Sequence, residues 1–264
     1  MPPPPHSHPT YPVRTADFDF SLPPELVAQT PAATRDGSRL LVLHRGDGRL
    51  EHRRLPDLRD FLRAGDVLVL NNSRVLRARL RGHKPASGGQ VELLLVEAVA
   101  PNEWWAMLRP GKRVRAGTEI HLLTHRGEPS LVRAVVQEKN AEGHGRVRFT
   151  GTQNILNDLD ALGEIPLPPY IERAAGADDD ARYQTVFAQP AGSVAAPTAG
   201  LHFTPQLLDD LQARGVEIHF VTLHVGLGTF APVKADRSDP FSIRYGVAFG
   251  RGRGGVTLTS RPRA

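Results

Sequence analysis

Gly192-Ser193-Val194-Ala195-Ala196-Pro197-Thr198-Ala199-Gly200-Leu201-His202-Phe203-Thr204, running on into Pro205 and closed by Gly215, decides how this chain is read. Thr204 suits a helix N-cap and Pro205 the first helical position. Leu207, Leu208 and Leu211 form one apolar face, and Gly215 ends the helix. Val216 to Val225 then reads as a buried strand. With Ser193 to Ala196 as a strand, the unit is β-loop-α-β, which predicts a parallel pair joined by a right-handed crossover. Both strands then end at one sheet edge. The loops at 197–204 and 225–231 meet there, where open α/β sheets hold their ligands.

Upstream of this unit the pattern changes twice. Met1 to Pro12 holds six prolines and no apolar core of a signal peptide, so residues 1–15 read as an extended, disordered lead. Pro23-Pro24 opens a short helix through Gln29, and Ser38 to Leu43 reads as a strand. Leu58, Phe61 and Leu62, stopped by Gly65, predict a short amphipathic helix. Val67 to Leu70 follows as a buried strand ending at Asn71-Asn72. From about residue 75 six strand-like runs succeed one another, at 76–81, 91–99, 103–109, 119–123, 130–138 and 145–149, with no helix between them. Such spacing predicts a small barrel or sandwich, an all-β insertion over 75–152. The α/β pattern over 16–74 resumes at 153–237, so the fold class is mixed α/β and β, with a discontinuous α/β domain. Residues 238–264 are an Arg/Gly-rich tail without periodicity.

Composition excludes several chemistries. There is no cysteine among the 264 residues, so disulfides, thiolate zinc sites and thiol catalysis are absent. No apolar run reaches the roughly 20 residues of a membrane span. The net charge is +5, but residues 236–264 hold six arginines and two acids, a net of +4, which leaves +1 for the rest. Global basicity is therefore a property of the tail and does not argue for nucleic acid.

Local motifs are weighed against their plain structural readings. The small residues of 192–204 let a ligand approach the backbone, the following helix offers free N–H groups to an anion, and His202 suits proton transfer. A tight turn with a capping histidine would read the same. Leu223-His224-Val225-Gly226-Leu227-Gly228-Thr229-Phe230 superficially matches a dinucleotide fingerprint, but Pro232 and Pro240 oppose the helix it requires. A glycine loop that lets His224 and Thr229 face a ligand is the better reading. His219 and His224 fall on opposite strand faces, so no metal is expected. Gly192-Ser193 lacks the flanking glycine of a hydrolase elbow.

These two segments, in order with DFDFSLPPELVAQTP, RDGSRLLVL, GDVLVLNNSRVLRARL, WWAMLRPGKRV and GEIPLPPYI, resemble the S-adenosylmethionine:tRNA ribosyltransferase-isomerase family of queuosine synthesis over about residues 16–235. The resemblance implies that the insertion is a small six-stranded β-barrel. It implies transfer of the ribosyl part of S-adenosylmethionine to 7-aminomethyl-7-deazaguanine at the tRNA wobble position, with isomerisation to epoxyqueuosine and loss of adenine and methionine. S-adenosylmethionine is consumed as substrate, so no separate cofactor is expected; neither is a metal or a membrane partner. A cytoplasmic monomer is expected.

Roles follow as expectations. His202 or His224 removes a C5′ proton acidified by the sulfonium, and the other histidine or Glu164 protonates the departing adenine. Asn71, Asn72, Arg74, Pro197, Thr198, Gly200, Gly226, Gly228 and Thr229 contact substrate, with the methionine carboxylate at the N-terminus of the 205–214 helix. Tyr170 and Tyr183 stack on a base. Arg77, Arg79 and Arg81 share one strand face and, with Arg109, Lys112 and Arg113, are expected to contact tRNA phosphates. Their plain reading is a solvated face.

The resemblance fades after Pro232-Val233-Lys234. The tail lacks the family's further acidic and histidine-bearing motif, and it reads as a shifted frame or premature end. Two other classes are therefore carried: an inactive remnant that at most binds RNA, and a small-molecule binding protein using the 198–231 loops.

Overall fold

The computed structural model describes residues 15–44 and 46–226. The expected disordered lead and Arg/Gly tail lie outside them. Residues 15–27 belong to one compact unit and residues 28–226 to another. The first contributes two 3-10 turns, Thr15–Phe18 and Pro24–Leu26. The second turn stops short of the expected helix because Val27 is already extended, at φ −88° and ψ 102°.

In the larger unit, β1 (Arg39–Leu43) and β2 (Leu50–Arg54) form an antiparallel hairpin. A 3-10 helix, Leu55–Asp60, replaces the amphipathic α-helix expected around Leu58. The inward residues still include Leu58 and Leu62, joined by Leu55, because a 3-10 turn also brings i and i+3 to one side. The chain continues through β3 (Val67–Asn71) and β4 (Arg74–Val75).

The insertion is a closed barrel. Its strands are β5 (Arg79–His83), β6 (Gln90–Ala100), β7 (Glu103–Arg109), β8 (Glu119–Leu123), β9 (Pro129–Lys139) and β10 (Gly145–Thr150). They run in the order β5-β6-β7-β10-β9-β8, and β8 pairs back onto β5. Alternate residues point inward, so Leu80, Leu93, Leu95, Ile120, Val136 and Val147 are fully buried. Closure needs Gly82, where a Cβ would stand 2.5 Å from the His121 carbonyl oxygen. Helix α1 (Ile155–Leu162) adds Ile155, Leu159 and Leu162 to the same core. These sit at i, i+4 and i+7, one face of a helix, and Asn154 caps it by accepting from Leu156 N. At roughly 1.5–3 kcal/mol per buried apolar side chain, that face ties the helix firmly to the barrel. A two-residue strand, β11 (Gly163–Glu164), then lies against β5.

The last part comprises α2 (Asp179–Arg182), β12 (Ala191–Ser193), α3 (Pro205–Ala213) and β13 (Glu217–Val221). Helix α3 forms as its sequence dictates: Thr204 Oγ1 accepts from Leu207 N at 3.1 Å, and Gly215 has φ +83°. The expected parallel pair does not form between its two flanking strands. Instead β12 pairs parallel with β4, and β13 pairs parallel with β3. The two pairs are sewn together by single bonds, including Val194 N to the Val225 carbonyl at 2.9 Å. The expectation of a buried strand at 67–70 is also corrected. Leu70 is buried, but Val67 and Val69 are 56% and 47% exposed, because α3 covers only one face of the β3–β13 pair.

Candidate functional site

The 197–204 segment turns as a 3-10 helix, Thr198–His202, entered from Pro197. Gly200 is buried there, and a Cβ would meet Thr185 Cγ2 at 2.8 Å and the Phe187 ring at 3.1 Å. Gly200 therefore serves close packing. Thr198 is exposed. Phe203 enters the core, which fixes the turn and directs His202 the other way. His202 Nδ1 lies 2.9 Å from Ser38 Oγ.

His202 and Ser38 face a cleft of about 640 Å³. Arg35, Arg39, His52 and Arg182 also line it, with Leu40, Leu41 and Leu201 as apolar wall. Arg35 and Arg182 hold the two sides together through backbone carbonyls. Arg35 donates to Ala181 and Leu201 carbonyls at 2.5 and 3.1 Å, and Arg182 donates to Ala32 and Ala33 carbonyls at 2.6 and 3.2 Å. Burial, and then the like charge of Arg182, hold the Arg35 guanidinium below its usual pKa. No acidic side chain lines the cleft among the described residues.

Sequence reasoning did not single out Arg35, Ser38 or Arg182. Arg35 and Ser38 lie within the RDGSRLLVL block and Arg182 far along the chain; the block carried the resemblance, but nothing in it assigned either residue to a site.

His224 lies elsewhere. It is exposed, and its ring lies over Gly192, where a Cβ would stand 2.6 Å from Cε1. Gly192, at φ +154°, leaves that space open. Ser193 Oγ donates to Ser73 Oγ at 2.9 Å and accepts from Val225 N at 2.8 Å, which fixes the approach of the two segments. Residues 192–194 thus meet His224 and Val225, whereas most of the 225–231 loop expected to meet 197–204 lies outside the described residues, and His224 does not line the cleft that His202 lines. Gly226 ends the described part of this loop; Gly228 and Thr229 lie outside it.

Asn71 and Asn72 are occupied with the same join. The Asn71 amide donates to the Leu223 carbonyl at 2.9 Å and accepts from Leu223 N and Ser73 N. Asn72 Oδ1 accepts from Thr222 Oγ1 at 2.7 Å. The Asn71 amide is thereby engaged at both ends with the loop, and Asn72 through its oxygen. Arg74 is exposed at the start of β4.

Glu164 is not at the histidines. It sits on β11 and accepts two bonds from Arg81, at 2.8 and 3.0 Å, which raise the Arg81 pKa. The arginine stripe is likewise engaged with carboxylates in this conformation. Arg77 donates to Asp180 at 2.7 Å, and Arg79 lies 3.7 Å from Glu92. The 160–180 segment lies against part of this face: the Asp160 carbonyl accepts from Arg77 at 3.0 Å and the Leu167 carbonyl from Arg79 at 3.3 Å, while Arg79 Nε stays buried without a partner and Arg81 is half exposed. Tyr183 does not present a ring for stacking: it is 8% exposed, and burial pushes its hydroxyl up to about 12. Tyr170 is 55% exposed. Arg109, Lys112 and Arg113 are exposed at the β7 turn, where Lys139 Nζ donates to the Gly111 carbonyl at 2.8 Å and Lys84 Nζ to that of Arg113. This turn gathers five cations.

No group of three or more histidines and carboxylates stands close enough to hold a metal, among the described residues. No helix among them is long and apolar enough to cross a membrane.

A six-stranded barrel set into an α/β body, with a 3-10 turn and helix beside a cationic cleft, defines a class of two-part α/β and β-barrel proteins. The chain belongs to the family described as Queuosine biosynthesis protein, whose model matches residues 15–244. It is similar to a Staphylococcus saprophyticus protein named S-adenosylmethionine:tRNA ribosyltransferase-isomerase, at 47% identity over 223 residues, covering 84% of this chain and 63% of the relative. The Staphylococcus haemolyticus protein of the same name is 46% identical over 221 residues, covering 83% and 62%. The crystal structure of S-adenosylmethionine tRNA ribosyltransferase from Thermotoga maritima is 32% identical, covers 79% of this chain and 58% of that one, and has a TM-score of 0.32. The chain spans about three-fifths of the length of the curated relatives it matches.

Proposed function

We propose that this chain carries the ribosyl-transfer and isomerisation chemistry of queuosine synthesis. In that reaction the ribosyl part of S-adenosylmethionine passes to 7-aminomethyl-7-deazaguanine at the tRNA wobble position. Epoxyqueuosine forms, and adenine and methionine leave. The observation that carries the reading is the family match over residues 15–244, with relatives of that name at 46–47% identity.

S-adenosylmethionine is both donor and leaving-group source, so the reaction balances without a further cofactor. His202 is the better-placed base. In the tautomer whose Nδ1–H donates to Ser38 Oγ, its Nε2 lone pair is free to take the C5′ proton. His224, exposed over Gly192, is the group to protonate adenine. Glu164 is a weaker donor because Arg81 already holds both its oxygens. Phosphate contacts fall to Arg109, Lys112 and Arg113 at the β7 turn, since Arg77, Arg79 and Arg81 would have to exchange their carboxylate partners.

The test is adenine release from S-adenosylmethionine in the presence of tRNA carrying the deazaguanine base, followed by mass spectrometry of the tRNA nucleosides. Adenine and a modified nucleoside should appear together, and only with that tRNA. Unchanged deazaguanine under conditions where a known enzyme of this class turns over would refute the reading.

A further inference from the structure

Strand β13 stops at Val221, opposite Asn71 of β3, yet the chain beyond it stays held residue by residue. Leu223 places both of its backbone groups on one side chain. Its N–H donates to Asn71 Oδ1 at 3.1 Å, and its carbonyl accepts from Asn71 Nδ2 at 2.9 Å. Val225 is held the same way by the other segment. Its N–H donates to Ser193 Oγ at 2.8 Å, and its carbonyl accepts from Val194 N at 2.9 Å. Ser193 is fixed in turn, since its Oγ donates to Ser73 Oγ at 2.9 Å and both serines are fully buried. Asn71 Oδ1 also accepts from Ser73 N at 3.0 Å, so the two arms share an anchor. Backbone groups past the end of a strand must find partners. Here two side chains select residues 223 and 225.

His224 is the residue between the two arms. It is exposed, and its side chain makes no hydrogen bond or ion pair among the described residues. Its ring rests on Gly192, where a Cβ would stand 2.6 Å from Cε1 and 2.8 Å from both Nδ1 and Nε2. Main chain and ring are thus held, while both ring nitrogens are left for a group from outside. A join that only closed β13 onto β12 gives no reason for a histidine between the arms or for a glycine under its ring.

We propose that Asn71, Ser193 and Gly192 are positioning residues that act through His224, holding its imidazole in one place and one orientation for proton transfer. This rests on the reading above, in which His224 protonates the departing adenine, and adds how the fold aims it. Proton transfer requires donor and acceptor within hydrogen-bond reach, and a displacement of about 1 Å costs up to about a hundredfold in rate. A histidine on an unpinned loop would sample many positions. Pinning both of its neighbours removes that freedom before substrate arrives. Burial of the Ser73–Ser193 pair away from water strengthens the arm that holds Val225.

Double-mutant cycles on adenine release test this, with Asn71→Ala, Ser193→Ala and Gly192→Ala each made in the parent chain and in His224→Ala. In the parent, each should lower kcat by about tenfold or more with little change in KM. In the His224→Ala background, each should change kcat by less than about twofold, because the group they aim is gone and so is the ring that Gly192→Ala would displace. A merely structural join would lose activity equally in both backgrounds, and equal losses overturn the proposal. A cooperative melt checks that each variant folds. Amide exchange followed by NMR reads the arms without turnover. The Leu223 and Val225 amides should be protected in the parent chain. Asn71→Ala should speed exchange at Leu223, and Ser193→Ala at Val225, by about tenfold or more. Unprotected amides at both positions in the parent would overturn the proposal as well. If the parent chain releases no adenine, the reading above falls and exchange alone decides: protection lost arm by arm upholds the clamp on His224, and exchange indifferent to Asn71 and Ser193 refutes it.

Discussion

Asp179→Asn should loosen the side of the cleft that carries Arg182. Asp179 opens α2, and its side chain is 7% exposed. It accepts from Arg173 Nη1 at 2.6 Å, from Arg173 Nη2 at 2.9 Å and from Gly176 N at 2.7 Å. These bonds, with that of Arg173 first, lower its pKa. Asparagine keeps one acceptor oxygen and turns the other position into a donor facing donors. Breaking a buried pair costs about 3–5 kcal/mol, but the Arg173 side chain is a third exposed and can regain water. The expected loss is therefore about 2–3 kcal/mol, or roughly 5–10 °C in the melting midpoint for a chain of this size.

The sign with pH follows from the lowered carboxyl. Its stabilisation is present above the unfolded pKa, near 3.9, and is lost as pH falls through the folded value. The gap between the parent chain and Asp179→Asn should stay constant from neutral pH down to about 5 and close below about 4. Urea unfolding of both proteins across that range measures it. A gap under about 0.5 kcal/mol at neutral pH, or one that persists undiminished in acid, would show that the pair does not hold this turn.

Two further outcomes follow from the geometry. His202→Ala should reduce adenine release by about a hundredfold or more, the usual contribution of a positioned base, while the melt moves little; a large loss of cooperativity instead would make the histidine structural. His224→Ala should behave likewise, measured in the same assay. Gly163→Ala should cost about 3 kcal/mol by urea unfolding, because the added Cβ would stand 1.9 Å from the Arg77 carbonyl and the β11–β5 contact must open; an unchanged midpoint would mean that β11 does not need to lie against the barrel.

Local chemistry determined the parts of this protein that depend on neighbours in sequence. Thr204, Pro205 and Gly215 set the limits of α3, and the inward-outward alternation of 79–150 set the barrel strands to within a few residues. The resemblance carried by 192–204 and 223–230 likewise lies in contiguous residues. Pairing was decided elsewhere. The helix-flanking segments at 191–193 and 217–221 took β4 and β3 as partners because the first segment of the chain offers two short strands in succession, which no pattern near residue 200 reveals. The same holds for charge. Three alternating arginines on 77–81 look solvent-facing in the sequence, and only the fold brings Asp180, Glu92 and Glu164 to them. Conversely, Arg35 and Ser38 of RDGSRLLVL, Arg182 and His202 belong to three separate segments and become one cleft through arginine bonds to backbone carbonyls, an acceptor that every residue possesses, and through the contact of His202 with Ser38.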